Sequence, residues 1–235
     1  MNKSNLKIDW CSHQAAKTAC EKWHYSHALP DPKQSRLGVW EHGQFVGVVI
    51  FSRGVACSNF APRLGLTSNQ LCELSRVALT KHDAPVSRVL RIALMKLSQQ
   101  SPGIKAVLSY ADPNVNHVGG IYQASGWTYT GKSHVVPLWM TSTGLRVHDR
   151  SVSSGGVKRQ FGVMKKAYKR IELVKHDQLP KHRYVFILDK QDKGLASAVE
   201  AMRKPYPKRV GGVSVSTGDH QSPGGGSSPT PALHS

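Results

Sequence analysis

Residues 73–130 read ELSRVALTKHDAPVSRVLRIALMKLSQQSPGIKAVLSYADPNVNHVGGIYQASGWTYT, and the periodicity of this stretch decides the fold. ELSRVALT (Glu73 to Thr80) reads as a strand. Pro85, Val86, Val89, Leu90, Ala93, Leu94 and Leu97 then trace one face of an amphipathic helix. Pro85 suits its first turn, where the missing N–H would have no helical partner anyway. Arg88, Arg91 and Lys96 lie mostly off that stripe. IKAVLSYA (Ile104 to Ala111) is short and almost continuously apolar, the pattern of a strand buried on both faces. GGIYQASGW (Gly119 to Trp127) predicts a two-turn helix stopped by Gly126, and WTYT (Trp127 to Thr130) opens another strand.

Outward from this stretch, residues 12–24 place Ala15, Ala16, Ala19, Cys20 and Trp23 on one helical face behind a capping Ser12. LGVWEHGQFVGVVIF (Leu37 to Phe51) holds two apolar runs around Glu41-His42-Gly43-Gln44, a hairpin signature. After a Ser/Gly-rich break near residues 151–156, Phe161, Met164, Tyr168 and Ile171 keep helical spacing, and RYVFIL (Arg183 to Leu188) predicts a late strand. The order gives an α+β class, a mixed central sheet flanked by helices. One domain is expected over residues 1–203, with a basic C-terminal part over 155–203. A tail over 204–235 follows, basic at first (KPYPKR, Lys204 to Arg209) and then rich in Gly, Pro and Ser, which make up 15 of the last 25 residues. KPYPKR reads equally as a loose phosphate-contacting arm or as a linker.

The chain of 235 residues carries 32 Lys+Arg against 14 Asp+Glu, a formal charge of +18, and its 39% hydrophobic content supports one packed core. The basicity is concentrated late: 17 cations face 8 acids over residues 1–154, but 15 face 5 over 155–209. Such a field draws polyanions, and the release of condensed counterions makes nucleic acid the first partner to consider. No run is long and apolar enough to span a bilayer, MNKSNLKIDW lacks the apolar centre of a signal peptide, and no basic amphipathic helix with apolar anchors suits a membrane surface. Cys11, Cys20, Cys57 and Cys72 form no CxxC pair and read as reduced thiols of a cytoplasm, two of them buried.

Residues 73–130 resemble the core of the GNAT acyltransferases, in which a splayed strand pair takes the pantetheine of an acyl-CoA and the following helix start takes its pyrophosphate. The loop departs from that pattern, since Lys81-His82-Asp83-Ala84-Pro85-Val86-Ser87-Arg88 is not glycine-rich. Ser87 and Arg88 are the candidate phosphate ligands, with Arg76 beside them, so an acyl-CoA or related donor is one expectation.

Four longer motifs, EKWHYS (Glu21 to Ser26), ELSRVALTK (Glu73 to Lys81), SYADPNVNHVGGIYQASGW (Ser109 to Trp127) and KHRY (Lys181 to Tyr184), resemble the Mom family of phage DNA-modification proteins. The resemblance implies an enzyme that converts adenine of double-stranded DNA to N6-carbamoylmethyladenine, protecting phage DNA from restriction endonucleases in the cytoplasm of the bacterial host. The sequence itself leads us to expect no membrane, no obligate protein partner and a monomeric or weakly associating chain. The resemblance also implies an iron site, Fe(II), at His24, Asp112 and Tyr122, a nitrogen and oxygen donor set suited to iron. Taken alone, His24 reads as a half-buried histidine between Trp23 and Tyr25, Asp112 as a turn residue of Asp-Pro-Asn, and Tyr122 as core packing. His117 is a competing ligand, completing a two-histidine, one-carboxylate set.

Arg76 sits mid-strand beside Glu73, where a charge needs a ligand or an ion-pair partner. Lys165, Lys166, Lys169 and Arg170 fall on one broad helical face, and with Lys181 and Arg183 they are the candidate DNA phosphate contacts. Reaching an exocyclic amine held in a base pair calls for base extrusion, with Tyr25, Trp40, Tyr110 and Trp127 as candidate pocket aromatics. Rival readings are an acyl-CoA-dependent N-acetyltransferase of another substrate and a non-catalytic DNA-binding accessory protein.

Overall fold

The structure, a computed structural model, describes residues 5–30, 33–147, 149–160 and 163–208. Its elements run β1 (Leu6–Trp10), α1 (His13–Trp23), β2 (Gln34–Glu41), β3 (Gln44–Ser52), α2 (Val55–Phe60), β4 (Leu71–Leu79), α3 (Val86–Gln100), β5 (Ala106–Ala111), α4 (Gly120–Ala124) and β6 (Thr128–Lys132). They continue with β7 (Leu138–Thr141), β8 (Arg146–Val147), β9 (Val152–Ser153), β10 (Gly156–Gln160), β11 (Val163–Lys169), β12 (Leu173–His176), β13 (His182–Ile187) and α5 (Lys193–Ala201).

Seven strands form one mixed sheet in the order β1-β2-β3-β4-β5-β13-β6, antiparallel except where β4 meets β5. Alternation along β3 sets the layers. Val49 and Phe51 pack with Val89, Leu90, Ala93, Leu94 and Leu97 of α3, whereas Val48 and Ile50 pack with Ala16, Ala19 and Cys20 of α1. Ala106 and Leu108 of β5 join Phe60, Leu195 and Val199 under α2 and α5, and Val107 faces α3. The strand expected to be buried on both faces is so, and the expected α+β architecture, a mixed central sheet flanked by helices, is what the chain builds. Ser12 caps α1, its Oγ accepting from Ala15 N–H at 3.1 Å. Cys20, Cys57 and Cys72 are buried, one thiol more than the composition led us to expect.

Two local irregularities position the site. β4 and β5 pair only at Leu71↔Ala106, Cys72↔Val107 and Glu73↔Leu108, so the sheet splits beyond Glu73. The β3–β4 register slips between Ile50 and Phe51, leaving Ser75 as an extra residue on β4. Such a bulge bends the strand and re-aims the side chains after it. Ser75 Oγ donates to Ile50 O at 3.2 Å and fixes the slip.

Residues 133–181 are an insertion that interrupts the antiparallel pair β6–β13, and they carry 10 Lys+Arg against 3 acids. They form two small sheets, β12-β7-β8 and β10-β11-β9. Here the sequence expectation is corrected: Met164, Tyr168 and Ile171 lie in or just after a β-ribbon and not on a helix, and Phe161 falls outside the described residues. The apolar spacing was no core stripe, since Met164 is 63% and Ile171 93% exposed. Consequently Lys165 and Lys166 point to opposite faces of a strand, and the four cations share no helical face. Lys204–Lys208 is no loose arm either, because Lys204 N–H donates to Tyr129 O at 2.9 Å and the Tyr206 hydroxyl to Trp127 O at 2.6 Å. Most of the Gly/Pro/Ser-rich tail expected over 204–235 lies outside the described residues.

Candidate active site

Polar groups gather where β4 and β5 part. His24 follows the last turn of α1 and is 8% exposed, as are Asp112, just beyond β5, and Tyr122 in α4. The Tyr25 ring links them: its centroid lies 4.3 Å from that of His24 and 5.3 Å from that of His117. His117 N–H donates to Asp112 O at 3.0 Å, and the Tyr25 hydroxyl acts electrostatically on Tyr122. Tyr25 thus joins His24 to His117, whose backbone is bonded to Asp112, and it lies within electrostatic reach of Tyr122.

Local bonds fix the protonation of each group. Ser26 engages His24 Nδ1 through both its N–H at 3.1 Å and its Oγ at 2.8 Å. Burial above all, then the charges of Arg76, His117 and His27, lowers the His24 pKa to about 3, so the ring is neutral near pH 7. Ser109 Oγ lies 2.7 Å from Leu74 O and 2.8 Å from the Tyr122 hydroxyl. The carbonyl can only accept, so it takes the serine proton and Tyr122 donates to Ser109. Burial pushes the Tyr122 phenol up to about 12 despite that contact. Asp112 is pulled the other way: burial raises it, but hydrogen bonds from Lys181 (Nζ to Oδ2, 2.9 Å) and Asn114 (to Oδ1) bring it net below the usual carboxylate value.

These donors do not fit ferrous iron as they stand. Ser26 engages His24 Nδ1, the Tyr122 hydroxyl is bonded to Ser109 Oγ at 2.8 Å, and an ammonium already occupies Asp112. Among the described residues no group of three His, Cys, Asp or Glu is gathered for a metal.

The sequence placed Lys181 on DNA; the structure places it on Asp112. It placed Arg183 there too, yet this guanidinium is 8% exposed, donates to Thr130 Oγ1 and O at 3.0 and 2.8 Å, and stacks 4.3 Å from the Phe60 ring. Arg183 follows the inward parity of β13, which the charge alone concealed. Arg183→Leu is expected to lower the unfolding free energy by about 2 kcal/mol by stranding the Thr130 acceptors. The salt dependence of DNA retention should be unchanged, which melting and retention on a salt gradient would check.

Arg76, after the bulge, donates to Ala28 O at 3.1 Å and Ser75 O at 2.7 Å and acts on both His24 and Glu73. Glu73 itself escaped the sequence reading except as a possible partner of Arg76. It shares the parity of Leu71 toward the α2 face, and burial raises its pKa against the pull of Arg76 and Lys181. Ser87 and Arg88 open α3, Arg88 exposed. Of the four candidate aromatics only Tyr25 belongs to the cluster. Trp127 is wholly buried, Tyr110 packs under α2, and Trp40 meets Phe45 on the hairpin. Cavities of ≈ 340 Å³ between Arg53 and Leu97 and ≈ 680 Å³ beside Lys166 and Lys169 share no residue with the cluster.

The chain is similar to methylcarbamoylase Mom of Escherichia phage Mu, with 29% identity over 211 residues, 86% of this chain and 84% of that protein. Among solved structures it is similar to FeeM, an N-acyl amino acid synthase from uncultured soil microbes (TM-score 0.44, 11% identity, 80% of this chain and 93% of that one). Spermidine N-acetyltransferase from Vibrio cholerae, solved with CoA and spermine, gives a TM-score of 0.43 at 8% identity, covering 79% and 96%. The model of the Mom protein family matches residues 5–208, a span that contains the whole cluster, and the chain belongs to that family.

Proposed function

We propose that the protein replaces one N6 proton of adenine in double-stranded phage DNA by a carbamoylmethyl group, giving N6-carbamoylmethyladenine and shielding that DNA from restriction endonucleases in the bacterial host. The family match across residues 5–208 carries this reading.

A new bond from N6 to carbon releases one amine proton, and the side chains of the cluster differ in whether they can accept it. Tyr122 is protonated, and His24 has Nδ1 engaged by Ser26 while burial disfavours the imidazolium that proton uptake would form. Asp112 has one oxygen on Lys181 and the other on Asn114. Glu73, whose pKa burial raises above the ordinary carboxylate value, is the acceptor in this reading. Arg76 and Lys181 hold its ionised form, and Tyr25, 44% exposed beside His24, offers a stacking face for an extruded base.

The insertion supplies the grip on the duplex. Its ribbon pairs Val157↔Lys166 and Arg159↔Met164, so these four side chains share one exposed face, and a two-stranded ribbon fits the major groove. Lys166, Lys169 and Arg170 are exposed for phosphate contact; Lys165, half-buried, lies on the opposite face of β11 from Lys166. Mass analysis of nucleosides from plasmid DNA of expressing cells tests the reading. Carbamoylmethylated deoxyadenosine is expected, and unmodified adenine throughout, with folded protein present, would reject it.

A further inference from the structure

Two successive backbone amides between β4 and α3 already hold an anion that belongs to the chain. Glu41, the last residue of β2 and 5% exposed, accepts from Asp83 N–H through Oε2 and from Ala84 N–H through Oε1, both at 2.7 Å. Bonds of this length to an ionised carboxylate are the strong kind. The surrounding contacts keep the loop in place: Thr80 N–H donates to Val46 O at 2.9 Å, His42 Nε2 lies 3.8 Å from the Asp83 carboxylate, and His82 Nδ1 lies 2.8 Å from Ala84 O. Pro85 has no N–H, and the amides of Arg88 and Val89 return to Pro85 O. The N–H groups of Val86 and Ser87, in the first turn of α3, do not face Glu41's carboxylate bonds.

We propose that Glu41 fills the loop's anion seat, so that a nucleotide diphosphate has no place there and adds nothing to donor binding. Any thiol-borne donor in the split between β4 and β5 is then recognised by its arm and acyl end alone. A diphosphate would have to displace Glu41 from two charge-assisted bonds or sit against its charge, and both are unfavourable. This also accounts for a loop without the glycines that close approach to phosphate requires, since the anion here arrives on a side chain of the hairpin. The proposal rests on reading the chain as a group-transfer enzyme whose donor enters the split. Its test uses binding alone, so it stands or falls separately from DNA modification.

Calorimetric titration of the full chain with coenzyme A, pantetheine and ADP decides it. We expect coenzyme A to bind less than about tenfold more tightly than pantetheine, and ADP to give no heat. An advantage of about tenfold or more for coenzyme A, or saturable ADP binding displaced by coenzyme A, would overturn the proposal. Glu41→Ala, if its melting shows a folded protein, should gain about tenfold or more for coenzyme A with pantetheine unchanged. A folded variant without that gain removes Glu41 from the role, and the wild-type comparison decides the question even if the variant does not fold.

Discussion

Glu73→Gln is expected to slow adenine modification by about 100-fold or more while leaving DNA retention unchanged. The substitution keeps the shape of the side chain and removes only its ability to take a proton. Because burial raises the Glu73 pKa, the wild-type rate should climb with pH through a limb above the ordinary glutamate value of about 4.3, and the variant should lack that limb. The same shift fixes the sign of a stability change. A carboxyl whose folded pKa is raised binds more protons in the native state, so its stabilising contribution is complete below the unfolded value and is lost as pH rises through the folded one. Above the folded value the ionised group is a net cost, and at such pH the glutamine variant should melt at a higher temperature than wild type. Lower activity with higher stability separates a base from a structural residue, whose loss would lower both; an unchanged rate would exclude Glu73 from the reaction.

The core was legible in the sequence because its elements are amphipathic with a clear period. The stripe from Val86 to Leu97, the continuous apolar run of β5 and the turn at His42-Gly43 each meet a local physical demand that neighbours do not override. Two short elements were not legible. β1 and α2 have five and six residues, too few for a period to stand out, and they form by docking onto a sheet already present. The insertion misled because Met164, Tyr168 and Ile171 imitate a helical stripe while their neighbours Lys165, Lys166 and Lys169 suit a solvated strand equally well. Of the site, the motif residues His24, Asp112 and Tyr122 were named by resemblance, and all three are buried. What no sequence could supply was their partners: Ser26 on the imidazole, Ser109 on the phenol and Lys181 on the carboxylate, from 69 residues further along the chain. Those partners decide protonation, and protonation decides which group can act as base. Glu41 escaped for the same reason, since its acceptor role depends on two amides 42 and 43 residues away.

Neutralising three exposed cations of the insertion should produce the opposite pattern to Glu73→Gln. The combined variant Lys166→Gln, Lys169→Gln and Arg170→Gln is expected to lessen the slope of log affinity against log salt by about 3, roughly one per lost phosphate contact, and to weaken binding to all DNA sequences alike. The fold should survive. Lys166 and Arg170 lie over the rings of Tyr168 and Trp139 at 4.9 and 5.4 Å, and exposed contacts of this kind contribute only about 0.5–1 kcal/mol each. The chemistry should survive as well, because none of the three touches the cluster around His24. Nucleoside analysis at low salt, where the remaining charge suffices to hold the duplex, should therefore show product restored toward the wild-type level, whereas Glu73→Gln should stay inactive at every salt concentration. An unchanged slope would move the duplex to another face of the molecule. Restored binding without restored product would mean that the ribbon also places the target base, and that grip and chemistry are coupled through the insertion.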